Sequence, residues 1–558
     1  MAKNCLTKKY LKIGGNCILL FFFLKNSSVF AQENAVDFGQ IHGNFQLNAQ
    51  YYNPDSLIGA EAVPEKFLSN GFANINYTRG AFSAGLRYES YLNALQGFPV
   101  GYRGNGIPYR YVHFSKDKLN VTVGSYYEQF GSGLIFRSYE ERGLGYDNAM
   151  DGVRLHYEIY KGVYFKGVIG KQRKYFDYGK GIMRGGDLEI NLIEVFDSLS
   201  NAKTRVILGG SFISKYEKDE VSQYNLPENV GAAAGRLSIL NGGFNFYSEY
   251  AYKINDPSGD NGFIYKPGHA ALAQLSYTQK GLGINLSAKR VDNMSFRSER
   301  DAVLTEVQIN YLPALTRQHT YNLLATLYPY ASQPNGEMAF QGEVIYRIPK
   351  GSALGGQYGT TVLVNYSAAN NIDTVKLHDE TTSRLGYSSD FFKIGKDVYF
   401  RDFNVEVTRK ISKDLKLALT YANLVYNKDV IEGKVDYGLV YAHVGVLEAN
   451  YKLSKKHALR VEVQNLYTKQ DLGSWGTALI EYTYSPNWFI ALLDQYNYGN
   501  YNQSARLHYY YGSLGYTQDN NRIILSYGRQ RAGIFCVGGV CRNVPASNGF
   551  SLTLLSSF

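Results

Sequence analysis

Residues 397–409 read DVYFRDFNVEVTR, and the alternation in this stretch decides the fold. Tyr399, Arg401, Phe403, Val405 and Val407 fall on one face of an extended chain, and Phe400, Asp402, Asn404, Glu406 and Thr408 on the other. A strand repeats every two residues, so one face suits an apolar surrounding and the other suits water. In 337–347, Met338, Phe340, Gly342, Val344 and Tyr346 oppose Glu337, Gln341, Glu343 and Arg347. In 457–467, Leu459, Val461, Val463 and Tyr467 oppose Arg460, Glu462 and Gln464. Beyond residue 31 no segment holds a 3.6-residue apolar period over three turns, so the chain is read as a run of strands.

What joins the strands separates a membrane barrel from a soluble β-protein. Short links fall at Gly80, Lys116-Asp117-Lys118, Lys161-Gly162, Asn241-Gly242, Lys280-Gly281, Ser412-Lys413-Asp414, Ser454-Lys455-Lys456, Ser485-Pro486-Asn487 and Asp519-Asn520-Asn521. Longer polar links occupy 52–70, 93–106, 129–150, 173–186, 216–234, 253–268, 291–302, 367–396, 428–438 and 529–548. Outer-membrane barrels alternate in this way, with tight turns at one rim and long loops at the other; sandwiches and propellers give no reason for it. The expected fold is all-β: a single transmembrane antiparallel β-barrel of about 26 strands, within a range of about 22–26, with short periplasmic turns and long extracellular loops. That count includes strands at 235–240, 303–310 and 359–366.

Composition agrees over the 558 residues. Charged residues are 19%, below the roughly 25% of soluble domains, and a mean hydropathy of −0.28 excludes repeated helical membrane spans. The 50 Tyr and 30 Phe against 2 Trp suit aromatic girdles, where a ring sits at headgroup level. Residues 1–31 read as a signal peptide: Lys3, Lys8, Lys9 and Lys12 precede the apolar run CILLFFFL at 17–24, and Ser28-Val29-Phe30-Ala31 sets a cut between Ala31 and Gln32. This leaves 32–558 as the barrel and implies the outer membrane of a Gram-negative cell. Cleavage removes five lysines and no acid, so the net charge falls from +10 to +5, and no basic arm for nucleic acid remains. Two cysteines stay, Cys536 and Cys541, at a spacing that suits a disulfide closing a small loop in an exported protein.

Residues 32–37 leave no room for a plug domain before the first strand, so the lumen is expected to be narrowed by its own loops or by a partner outer-membrane protein or lipoprotein. The candidate lumen loop is 128–150, EQFGSGLIFRSYEERGLGYDNAM. Gly131 and Gly133 permit close backbone approach, and Arg137, Glu140, Glu141, Arg142 and Asp147 offer polar contacts; the same composition also suits a solvated external loop. His378-Asp379-Glu380 is not read as a metal site, because three adjacent residues in a loop cannot all face one ion without a fourth ligand. No H-E-x-x-H, G-x-S-x-G or phosphate loop marks a catalytic or cofactor site. The lumen face mixes Arg87 with Glu89, Asp402 with Glu406, and Arg460 with Glu462, beside Glu337, Glu343 and Arg347, which are expected to form cross-strand ion pairs. Phe550, Leu552 and Leu554 alternate up to Phe558, resembling the terminal-strand signal that barrel-insertion machinery reads. That machinery and outer-membrane lipids are the expected partners.

FGSGL at 130–134 followed by Asp147-Asn148, GSWG at 473–476 and CVGGVCRNVPASNGFSL at 536–552 resemble an uncharacterised Bacteroidota outer-membrane barrel family, a domain of unknown function. The resemblance covers the chain beyond its signal and implies fold and location, with no activity or site residue. Two functions stay open: a channel or transport barrel, and a non-transporting subunit or scaffold of a larger outer-membrane complex for secretion, nutrient uptake or barrel insertion. No motif supports an enzyme.

Overall fold

The computed structural model describes residues 38–220, 223–303, 305–377, 384–537 and 540–558. The signal region with Ala31 and Gln32, and the cluster His378-Asp379-Glu380, lie outside the described residues. Twenty-four strands form one sheet in which each pairs antiparallel with its chain neighbours. The last strand, Ser547–Ser557, pairs with the first, Gln40–Tyr52, from Asn44↔Ser557 to Tyr52↔Gly549, and closes the barrel. Closure removes both sheet edges.

The alternation read from sequence is the alternation of the wall. In the strand Tyr387–Lys410, Asp402 and Asn404 are fully buried while Phe403 between them is exposed. The outward face carries Leu419, Leu447, Val463, Ile480 and Leu492, each about half exposed. Apolar side chains outside and buried polar ones inside are the reverse of a water-soluble protein. All nine short links are tight, from Arg79–Phe82 to Gln518–Asn521.

Three long links differ from expectation. The expected link at 173–186 is only Tyr175-Phe176, because Asp177–Asn191 continues the wall. The expected link at 367–396 is mostly strand: Thr360–Lys376 and Tyr387–Lys410 continue past their wall pairing as a ribbon in which 387–399 pair only with 370–376, and its end folds back on Asp292 and Tyr250. The largest difference is at 291–302, which runs on to 335 before the next wall strand, Gly336–Ile348. The strand expected at 303–310 belongs to that insertion and not to the wall, whereas 235–240 and 359–366 fall in or against the wall strands Asn229–Asn241 and Thr360–Lys376.

Candidate functional site

Two insertions, 127–149 and 293–335, fill the half of the lumen nearest the long loops. The first leaves the strand Leu119–Tyr126 and folds into two small hairpins, Glu128–Gln129 against Arg137–Ser138 and Glu140–Glu141 against Tyr146–Asp147. Phe130, Leu134, Ile135 and Phe136 are fully buried. Gly131 has a positive φ of 51°, and a Cβ there would sit 2.6 Å from Glu249 Oε1 on the facing wall, so the close approach requires glycine. Ser132 N donates to Glu249 Oε2 at 2.8 Å. Gly133, also at positive φ, sits between Arg137 and Tyr311.

Charge fixes this loop to the wall strands on its side. Asp147 accepts from Arg173 at 2.6 Å and from Arg87, and Arg173 also holds Glu89 at 2.6 Å. Arg87 reaches Glu89 at 2.6 Å and Glu140 at 2.9 Å, and Glu140 pairs with Arg142 at 2.7 Å. Three guanidinium groups and three carboxylates thus balance in one network. Arg87 and Glu89 sit two apart on the strand Phe82–Tyr91, so the pairing runs along that strand and into the loop. Glu128 is bound by His156 and by Lys166 at 3.0 Å. Burial disfavours its charge, but these partners outweigh that and hold the carboxyl down to about 2. Arg137 lies between the rings of Tyr139 and Tyr311, 4.1 Å from each centroid, and Glu141 accepts from Gly143 N.

The second insertion locks onto the first and then crosses the lumen. Asn310 Nδ2 donates to Leu134 O at 3.2 Å, Asn148 Nδ2 to Gln308 O at 2.7 Å, and Arg137 N to Ile309 O at 2.8 Å. Fully buried Lys215 and Lys253 donate to the carbonyls of Arg297 and Ser295 at 2.8 and 2.6 Å. Beyond Pro313 the chain makes an excursion to the opposite wall. Arg317 meets Glu406 at 2.5 Å, His319 meets Asp402 at 2.8 Å, and Leu323 N donates to Gln464 at 3.0 Å. The short helix Asn322–Thr326 places Leu323 and Leu324 in one buried cluster with Ala422, Leu424, Val444, Val446 and Leu466 of the wall. The excursion closes where it began, since Lys289 Nζ donates to Pro313 O at 2.5 Å and to Ser332 Oγ at 2.7 Å.

The other half of the lumen is lined by polar side chains. A cavity of about 490 Å³ opens beneath Gly131 and Ser132, with Lys166, Asp187, Glu189 and Arg236 around it. Arg236 pairs with Asp187 at 2.5 Å and Glu189 at 3.1 Å. Across the barrel, Arg460 is ringed by Glu448 at 3.0 Å, Glu481 at 2.6 Å and Glu462. Arg460 pairs with Glu462 along its own strand and across strands with Glu481 and Glu448, while Glu337 and Asp402 pair with Lys289 and with His319 of the insertion.

At the closing strand Phe550 is half exposed, with Leu552 and Leu554 on the same face, and Phe558 exchanges backbone hydrogen bonds with Gly43. The hairpin Gly533–Val537 and Val540–Val544 sets Cys536 opposite Cys541; their side chains lie outside what is described.

Similar barrels occur among solved structures, three of them at 10–11% identity. The P pilus usher (PapC) translocation pore has 10% identity and a TM-score of 0.44, covering 92% of this chain and 98% of that one. A mutant ferric enterobactin receptor (PfeA) from Pseudomonas aeruginosa in complex with enterobactin has 11% identity and a TM-score of 0.42, covering 93% and 82%. The siderophore receptor PiuA from Acinetobacter baumannii has 10% identity and a TM-score of 0.38, covering 95% and 82%. No curated protein matches the sequence. Residues 13–558 match one family description throughout, and the chain belongs to the family of unknown function DUF6029.

Proposed function

We propose that this chain is a gated transport barrel of a Bacteroidota-type outer membrane, exported by cleavage between Ala31 and Gln32. One observation carries the reading: a polar cavity lined by Lys166, Asp187, Glu189 and Arg236 lies in the lumen beneath insertions that the chain itself supplies. An apolar outer wall with aromatic residues toward its rims supports membrane residence. The short turns then face the periplasm and the insertions face outward.

The neck at Lys289 makes the reading testable, because residues 314–331 can be excised with little strain on the ends. In planar bilayers the wild-type barrel is expected to be silent. A variant with 314–331 replaced by a short Gly-Ser linker is expected to show stable ohmic conductance. A linker variant that folds, by its heat-modifiable gel mobility, yet stays silent would overturn the transport reading.

The ribbon favours a second reading, a non-transporting subunit. Wall pairing on its far side begins only at Phe400↔Tyr426, and although Tyr387, Ser389 and Phe391 fold back against Asp292, Arg290 and Tyr250 of the wall, Phe392 beside them is 85% exposed. A partner outer-membrane protein or lipoprotein co-purifying in fixed ratio from native membranes would support this reading. The remaining partners we propose are outer-membrane lipids and the barrel-insertion machinery, reading Phe550, Leu552, Leu554 and Phe558. Backbone pairing of Cys536 with Cys541 supports a disulfide at the tip of their hairpin, which thiol alkylation with and without reductant tests.

A further inference from the structure

The outward wall is not evenly filled. Between the strands from Trp475–Tyr484 to Asn521–Gln530, a groove of about 620 Å³ opens where Ala478 and Gly512 stand among larger neighbours. Ile480, Leu492, Leu514, Leu525 and Phe550 line it. A second hollow of about 340 Å³ lies toward the short-turn rim, walled by His457, Tyr482, Tyr484, Trp488 and Ile490, and Leu514 lines both. From Trp488 to Asp494 this path follows six residues of strand, about 20 Å at ~3.3 Å per residue. A strand tilt near 40° turns this into roughly 15 Å of depth, about one leaflet of a ~30 Å hydrocarbon core.

The two ends differ in charge. At the far end Asp494 lines the groove and pairs with His508 at 2.7 Å, so a carboxylate opposes any anionic group there. At the near end the strand begun by His457 is entered through Ser454-Lys455-Lys456, and Lys456 O accepts from Ser485 N at 2.7 Å, which sets this turn beside Tyr484. It is the one short turn of the nine with two lysines and no acid. Among the described contacts neither lysine forms an ion pair.

We propose that this groove binds one anionic phospholipid of the short-turn leaflet, with an acyl chain over Gly512 and Ala478 and its phosphodiester at Lys455 and Lys456. The inference rests on the membrane reading above, and the two fail differently. The chain has 2 Trp, of which Trp488 lines the groove and Trp475 is buried in the lumen. Fluorescence of Trp488 is therefore measured in a Trp475→Phe background, in phosphatidylcholine nanodiscs carrying brominated phosphatidylglycerol or brominated phosphatidylcholine. If Trp475→Phe does not fold, the wild-type signal corrected with Trp488→Phe serves instead.

Half-quenching by brominated phosphatidylglycerol is expected at roughly tenfold lower mole fraction than by brominated phosphatidylcholine, given two lysines near one phosphate. Lys455→Gln with Lys456→Gln should make the two lipids equal, and Gly512→Leu, filling the groove, should raise the fraction of phosphatidylglycerol needed. Equal quenching by both lipids in the wild type means annular lipid only and overturns the site while leaving the membrane reading intact. Quenching by neither overturns the site, and it overturns the membrane reading as well if the protein is monomeric, whereas in a dimer the groove belongs to a second copy.

Discussion

The two insertions share one apolar cluster, Phe130, Leu134, Ile135 and Phe136 of the first with Leu323 and Leu324 of the second, but they differ in how much charge holds them. Loop 127–149 adds to that burial a dock of charge, the network of Arg87, Arg173 and Arg142 with Glu89, Asp147 and Glu140. The tip of excursion 314–331 is docked by burial, with Leu323 and Leu324 against Ala422, Val444, Val446 and Leu466. The wall sets the difference. Where its lumen-facing residues are Arg and Glu, the loop must bring compensating charge or leave ions desolvated; where they are Ala, Val and Leu, it must bring apolar surface. A buried ionic dock depends on every member, whereas an apolar dock degrades in proportion to the area lost.

The comparison breaks most sharply at Asp147, whose carboxylate serves both Arg87 and Arg173 with little exposure. Asp147→Ala leaves two buried guanidinium groups sharing too few carboxylates, at a cost of about 4 kcal/mol. Trypsin cleavage after Arg137 and Arg142, which reports the open population of the loop, should speed up about a thousandfold while the barrel stays intact. On the apolar side Leu323→Ala removes a fully buried side chain and should cost about 3 kcal/mol, raising cleavage after Arg317 by about a hundredfold. Raising salt to 1 M should leave both rates nearly unchanged, because neither dock is open to the counterions that screen exposed charge.

The wall was legible because its period is strict, as in DVYFRDFNVEVTR, and because turns such as Lys161-Gly162 and Lys280-Gly281 leave little choice of conformation. Insertion 293–335 was not, since it has neither period, and its form depends on wall residues far away in sequence. A signal for it existed. The strand LVYAHVGVLEANYK is apolar on both faces over its first half, with Val440, Ala442, Val444 and Val446 buried opposite the outward Tyr441 and Leu447. A lumen face that is apolar must be covered by protein. Tyrosines also divide between the two settings: Tyr421, Tyr441, Tyr467 and Tyr484 face outward, whereas Tyr146, Tyr328 and Tyr330 are buried with the insertions, so girdles explain only part of the count. Composition cannot separate rings at a membrane interface from rings in a lumen.

A smaller effect tests whether the excursion borrows any ionic hold. Arg317 and Glu406 pair at 2.5 Å with about a fifth of each side chain exposed, so water screens them and Glu406→Gln should cost only about 1 kcal/mol. Cleavage after Arg317 should rise about fivefold, well below the Leu323→Ala effect.

Acid probes the ionic loop from its base, through Glu128. Its folded-state carboxyl lies near 2, below the ordinary value of 4.5, because His156 and Lys166 favour the charge more than burial opposes it. A group depressed in this way contributes its full stability above the unfolded value and loses it as pH falls from about 4.5 toward 2. Hydrogen exchange at 129–136, corrected for the intrinsic pH dependence, should therefore quicken across that window. Exchange in 320–327, held by apolar burial, should change less. Other carboxylates titrate in the same range, so the decisive comparison is Glu128→Gln, which cannot ionise. That variant should exchange faster than wild type at pH 7 and show a smaller acid increment; an increment equal to that of wild type would show that Glu128 does not carry the acid response.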